Sequence, residues 1–234
     1  MKRLKQITSL LLCLALVTSV FAFNTSASLD VIGNFPDVSK DAWYYDAVYF
    51  CAQERFITGY ANGKFGPTDN IQRQDFVVIL ARVADVNLNK SKYNPSSVVS
   101  KFKDVNDSNA YYARALAWGV SEGIVKGYDN GKFGVGDPIT REQICVFIFR
   151  YLQSTGEGLV VTQKMQKALL KDFKDGGRIS SFAIDAVAWC KYKGVVNGTA
   201  DGYFNPVKSA LRCEVAQIIC NACHNGIFNY WKDI

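Results

Sequence analysis

The sequence predicts a mainly α domain, built from three tandem helix-loop-helix repeats that pack with pseudo-threefold geometry around a central helix bundle. Three observations carry this. A glycine and aromatic loop recurs as GYANGKFGPTDNIQRQDF (59–76), GYDNGKFGVGDPITREQI (127–144) and GTADGYFNPVKSALRCEV (198–215). Each copy follows a start motif, FPDV at 35–38, FKDV at 102–105 and FKDG at 173–176. Apolar residues on both sides of each loop recur at helical spacing.

In the first helix of each unit, Trp43, Ala47, Phe50 and Cys51 fall on one face. Tyr111, Ala115, Trp118 and Gly119 repeat the pattern, as do Phe182, Ala186, Trp189 and Cys190. Gly123 and Gly194 end that helix where a left-handed residue turns the chain, and unit one has Arg55 there at a cost of about 1 kcal/mol. Gly59, Gly127 and Gly198 open the connecting loop, which buries Phe65, Phe133 or Phe204. The second helix starts at Arg73, Arg141 or Arg212. Its apolar face carries Phe76, Ile79, Leu80 and Val83, then Ile144, Phe147, Ile148 and Tyr151, then Val215, Ile218, Ile219 and Ala222. A single unit cannot bury both stripes, so the units must cover one another.

These elements divide the chain into a signal peptide (1–27), units at 35–85, 102–152 and 173–223, and a tail (224–234). Lys2, Arg3 and Lys5 precede an uncharged apolar run from Leu10 to Phe23, which is too short for a membrane span. Small residues suited to cleavage follow at Ala22 and Ala27. Removal of this segment takes three positive charges off the formal +6. A mildly basic remainder without Lys/Arg clusters argues against nucleic acid, and no second run is long enough to span a bilayer. The segments 86–101 and 153–172 read as polar linkers, the second with a helix from about Val161 to Leu170. No effector domain is expected after unit three, and the tail aromatics Phe228, Tyr230 and Trp231 offer a surface to a protein partner.

Six cysteines remain beyond the signal peptide: Cys51, Cys145, Cys190, Cys213, Cys220 and Cys223. An even count in an exported chain admits disulfides. Their seats instead align with small or apolar residues in the other units, which predicts buried thiols. Cys220, Cys223 and His224 form a CxxC beside the sole histidine, but on an apolar helical pattern and without a second CxxC, so zinc and thiol redox chemistry are disfavoured. Asp129 and Asn130 lack the ligand spacing of a calcium loop. No nucleophile elbow or acid-base constellation is present, so the sequence predicts neither catalysis nor a cofactor.

The order F-x-D-V, a helix with an aromatic and A-V or A-L, G-Y-x-x-G-x-F-x-P, then I-T-R-x-E, resembles the S-layer homology (SLH) module in three tandem copies. Here the motifs are FPDV, DAWYYDAV, GYANGKFGP and IQRQDF; FKDV, YYARAL, GYDNGKFG and ITREQI; and FKDG, FAIDAV, GTADGYFNP and LRCEV. The resemblance implies a bacterial envelope protein with a three-pronged spindle fold. It implies binding of a secondary cell-wall polymer linked to peptidoglycan, through a pyruvate ketal, in grooves between modules.

The residues themselves point to an anion. A cation in a helix's first turn opposes the macrodipole by a few tenths to about 1 kcal/mol, and its return at Arg73, Arg141 and Arg212 calls for a counter-anion. Guanidinium grips a carboxylate bidentately, and N–H groups at the helix start can join it. The anion is either an external sugar acid or an internal aspartate: Asp37, Asp104 or Asp175, or Asp69 or Asp137. Trp43, Tyr111, Tyr60 and Tyr128 are candidate sugar platforms, though the helical stripe favours core packing for Trp43 and Tyr111. Thr140 and Gln143 form a capping box at Arg141, whereas Gln72 and Leu211 replace the threonine elsewhere and Thr199 replaces the loop tyrosine. The groove holding Arg141 is therefore expected to be the best formed and that holding Arg212 the least, with frayed first turns where the cap is lost. On the dipole argument alone, Arg141→Ala leaves stability nearly unchanged.

Overall fold

The computed structural model describes residues 34–157 and 160–228. The signal peptide and the tail residues Tyr230 and Trp231 lie outside them. Eight α-helices are present among the described residues: α1 (Tyr45–Gln53), α2 (Arg73–Val83), α3 (Ser96–Lys101), α4 (Ala113–Ser121), α5 (Arg141–Ser154), α6 (Gln163–Leu170), α7 (Ile184–Tyr192) and α8 (Arg212–His224). Two 3-10 turns, Gly176–Arg178 and Ser181–Ala183, lead into α7. No regular strand occurs among the described residues, and none of these helices is long and apolar enough to cross a membrane.

The second helix of each unit begins at its arginine, as the pattern predicts, and the helix pairs run from unit to unit. Helix α2 packs on α4, α5 on α7, and α8 returns to α1. The apolar stripes are thus covered by neighbouring units rather than within a unit. Between the helices, three buried residues exchange backbone hydrogen bonds in a closed cycle. Ile71 N–H donates to Ala210 at 3.1 Å, Ala210 to Ile139 at 2.9 Å, and Ile139 to Ile71 at 2.9 Å. Each bond satisfies groups that burial would otherwise leave unpaired.

The start motif and the loop meet in every unit. Phe65, Phe133 and Phe204 have no exposed surface, and burying each contributes about 1.5–3 kcal/mol. Asp37 accepts from the N–H groups of Phe65 (2.9 Å) and Gly66 (2.8 Å). Asp104 accepts from Phe133, Gly134 and Val135 at 2.7, 2.7 and 2.9 Å, and Asp175 from Phe204 and Asn205, both at 2.8 Å. Burial alone would raise the Asp37 and Asp104 pKa values, but these N–H groups outweigh it and hold both carboxyls low. The motif phenylalanine explains the loop glycine. A Cβ on Gly59 or Gly127 would stand 2.5 Å from Cε1 of Phe35 or Phe102, and on Gly198 3.2 Å from Phe173.

The helix-ending position is left-handed in all three units, with φ of 73° at Gly123, 69° at Gly194 and 58° at Arg55. Three expectations need correction. The segment 86–101 is more than a polar linker, since it holds α3 and buries Tyr93 and Val98. Phe228 is buried, its ring centroid 5.4 Å from that of Tyr151, so it offers no exposed tail aromatic. Trp43, Tyr111 and Phe182 are 65%, 68% and 58% exposed. Each precedes the first turn of its helix, where the helical period that predicts core packing does not yet apply.

All six cysteines are buried and unpaired. Burial pushes up the thiols of Cys51, Cys190, Cys213, Cys220 and Cys223, Cys213 to about 11 and Cys223 to about 12, which disfavours thiolate chemistry. His224 Nδ1 lies 2.8 Å from the Cys220 carbonyl oxygen, one turn back on α8.

Candidate functional site

Each helix-start arginine reaches into the loop of the next unit. Arg73 Nε donates to the Phe133 carbonyl at 3.1 Å, Arg141 Nε to Phe204 at 2.8 Å, and Arg212 Nε to Phe65 at 2.8 Å. Arg141 Nη2 also reaches the Asn197 carbonyl at 3.2 Å, and Arg212 Nη2 the Thr58 carbonyl at 2.8 Å. The loop phenylalanine is therefore held from both sides: its N–H by its own unit's aspartate, its carbonyl by the preceding unit's arginine. The recurring Asp, Phe and Arg are one device that locks unit to unit.

This corrects the internal-pair expectation. Asp37, Asp104 and Asp175 brace backbone N–H groups, and the side-chain hydrogen bonds of the three arginines go to backbone carbonyls. Burial lowers the pKa of Arg73 and Arg212, while nearby Tyr128 and Asp137, or Tyr60 and Asp69, work the other way. The helix-start N–H groups are also spoken for. Arg73 N–H donates to Asp137 O (2.9 Å), Arg141 to Lys208 O (3.1 Å), Glu142 to Pro206 O (3.0 Å), Arg212 to Asp69 O (2.8 Å) and Cys213 to Pro67 O (3.1 Å). They are not free for a ligand, and the first turns of α2 and α8 are pinned rather than frayed. The Thr140 and Gln143 capping box is present on α5. On α8, the Glu214 carboxylate takes the Leu211 N–H at 2.9 Å in place of a side-chain cap.

What remains of the Arg141 and Arg212 guanidinium groups borders a groove. Arg141 lines a cavity of about 510 Å³ together with Trp43, Gly198, Thr199, Glu214 and Asn221. Arg212 lines one of about 220 Å³ with Gly59, Tyr60, Asp75, Arg82 and Tyr111. The equivalence between them is complete: a loop and second helix from one unit, an arginine from the unit before, and an aromatic from the unit after. Arg73 stands in a third set, its guanidinium carbon 4.5 Å from the Tyr128 ring centroid and 5.1 Å from those of Phe133 and Phe147. Gly127 opens the loop of that set.

A carboxylate stands in both recorded grooves. Glu214 lies 3.7 Å from Arg141 Nη1 and 3.3 Å from Lys208 Nζ. Asp75 accepts a hydrogen bond from the Tyr111 hydroxyl, whose pKa is pushed up to about 12 by burial and by that carboxylate. Each groove thus offers a cation, an acceptor for sugar hydroxyls and an exposed ring face. Such a mixture suits a sugar carrying an acid group. Sequence reasoning missed Glu214, Asp75 and Asn197, because their place opposite an arginine arises only when units close on one another. It also put the effect of Thr199 in the wrong place, since Thr199 lines the groove of Arg141 rather than that of Arg212.

The chain matches the S-layer homology domain family at residues 34–77, 101–145 and 172–216. It is 31% identical to an endoglucanase of Bacillus sp. (strain KSM-635) over 93% of this chain and 22% of that protein. It is 29% identical to a cellulosome-anchoring protein of Acetivibrio thermocellus over 74% of this chain and 36% of that protein. A third relative is an S-layer protein of Bacillus licheniformis, 25% identical over 80% of this chain and 19% of that protein. The chain spans roughly a third or less of the length of these curated relatives. Three matched copies covering more than half of the sequence establish that the chain belongs to the S-layer homology family.

Proposed function

We propose that this chain is a non-catalytic anchoring module of the cell envelope that binds an anionic, pyruvylated secondary cell-wall polysaccharide in the grooves between its repeats. Residues 1–27 act as an export signal, the units span 35–85, 102–152 and 173–223 in pseudo-threefold packing, and the protein resides at the cell wall or S-layer. The SLH matches support that location, as do relatives named for anchoring and for the S-layer. The endoglucanase likeness is compatible with it, because this chain corresponds to only 22% of that enzyme.

One observation carries the reading: Arg141 of unit two and the 65% exposed Trp43 of unit one converge on one cavity beside the loop of unit three. Arg141 supplies the cation for the ketal carboxylate, Trp43 a platform for the sugar face, and Gly198 the close backbone wall. Arg212 with Gly59, Tyr60 and Tyr111, and Arg73 with Gly127 and Tyr128, form the corresponding sets. Retention on purified wall sacculi, with and without their attached polymer, tests the proposal. Binding to polymer-bearing walls alone supports it, and equal binding to stripped walls rejects it.

A further inference from the structure

The position after the loop glycine holds Tyr60, Tyr128 and Thr199 in the three units. The two tyrosines cover arginines of the preceding unit, with ring centroids 4.6 Å from the Arg212 guanidinium carbon and 4.5 Å from that of Arg73. Each ring edge also abuts a loop glycine. A Cβ added to Gly66 would meet Tyr60 Cε2 at 2.5 Å, and one on Gly134 would meet Tyr128 Cε2 at 2.7 Å. Unit three departs at both places together. Thr199 has no ring to lay across the loop, and the matching position is Asn205, whose Cβ is accommodated at a φ of 58°.

The consequence falls on Arg141. Three rings surround the Arg73 guanidinium and two that of Arg212, whereas Arg141 has Phe204 at 5.3 Å. The cavity shared by Thr199 and Arg141 measures about 510 Å³ and that shared by Tyr60 and Arg212 about 220 Å³. Ligand pockets run from about 300 to 1,000 Å³, so the first has room for a sugar with its acid substituent and the second falls short.

We infer that the Thr199–Asn205 pair is the specificity determinant that makes the Arg141 groove the one wide enough for a substituted anionic sugar, Tyr60 at the matching position taking up that space beside Arg212. The inference rests on the proposed polymer binding. It assigns the three repeats unequal roles: one groove receives the ligand, and the other two chiefly lock the units together.

The test is wall retention and polymer affinity for the wild-type chain and the double variant Thr199→Tyr/Asn205→Gly. Glycine at 205 makes room for the introduced ring, as at Gly66 and Gly134. The double variant should melt like wild type and bind polymer more than tenfold more weakly. A folded double variant with wild-type affinity overturns the inference and leaves the anchoring proposal standing. A wild-type chain that walls do not retain overturns both. If the double variant fails to fold, Tyr60→Thr decides: a gain in bound polymer supports the space-filling role of tyrosine, and unchanged binding overturns it.

Discussion

Replacing Arg141 with alanine separates two accounts of the helix-start cations. On dipole grounds alone the change is harmless or slightly favourable, since removing a cation from the first turn of α5 returns about 0.3–1 kcal/mol. The structure reverses that sign. Arg141 is 7% exposed and donates to two carbonyls of unit three, Phe204 at 2.8 Å and Asn197 at 3.2 Å. Hydrogen bonds to a charged group contribute about 1.5–3 kcal/mol each, and deletion also leaves the carbonyls without this donor. Allowing for non-additivity and the dipole relief, the net loss is about 2–4 kcal/mol. At about 2–4 °C per kcal/mol for a domain of this size, the melting temperature should fall by roughly 5–15 °C. Thermal melting by circular dichroism reads it. A melting point within a degree of wild type would refute the claim that the arginine locks one unit to the next. Because this variant mixes stability with binding, Trp43→Ala is the cleaner probe of the groove. Its ring is largely exposed, so stability should move by less than about 0.5 kcal/mol. Polymer affinity should fall about tenfold, or roughly 1.4 kcal/mol, as for an aromatic anchor.

Further expectations concern the loop, the aspartates and the thiols. Gly127→Ala places a Cβ 2.5 Å from Phe102 at a φ of 78° and should cost about 2–4 kcal/mol in denaturant unfolding. Gly123→Ala, at a φ of 73° with no atom within 4 Å of the new Cβ, should cost only about 1 kcal/mol; equal losses would contradict the packing argument. The Asp104 carboxyl is held below its unfolded value of about 4, so its stabilisation is complete above that pH and is lost as pH falls through the lower folded pKa. Asp104→Asn should therefore flatten the acid limb of a stability-against-pH curve, and an unaltered limb would show that the loop clamp is energetically idle. Finally, an aromatic disulfide reagent at neutral pH should leave the six buried thiols unmodified until denaturant is added, because burial shields them from the reagent. Rapid modification of the native protein would disprove their burial.

Much of the architecture was legible in residue type and spacing. The arginines mark helix starts, the loop phenylalanines are among the most buried rings, and left-handed turns fall where two of three units have glycine. Arg55 adopts that same turn, so tertiary demand overrides residue preference there. The partners of the arginines were not legible, because backbone carbonyls carry no signature in a sequence. Nor was the order in which units meet. Spacing within a repeat says nothing about whether Thr199 faces Arg141 or Arg212, and the closed path α2 to α4, α5 to α7, α8 to α1 decides it. Trp43 and Tyr111 were drawn into the core by extending a helical period two residues too far; their exposure strengthens their candidacy as sugar platforms.

The central claim is that an acid group on the polymer is held in a groove beside Arg141. Calorimetric titration of the folded chain with released wall polymer, before and after its carboxylates are converted to amides, tests this most directly. The account predicts measurable binding of the native polymer and a loss of tenfold or more on amidation, since a charge-assisted pair contributes about 1.5–3 kcal/mol. Equal affinity for the acidic and the neutralised polymer would contradict it.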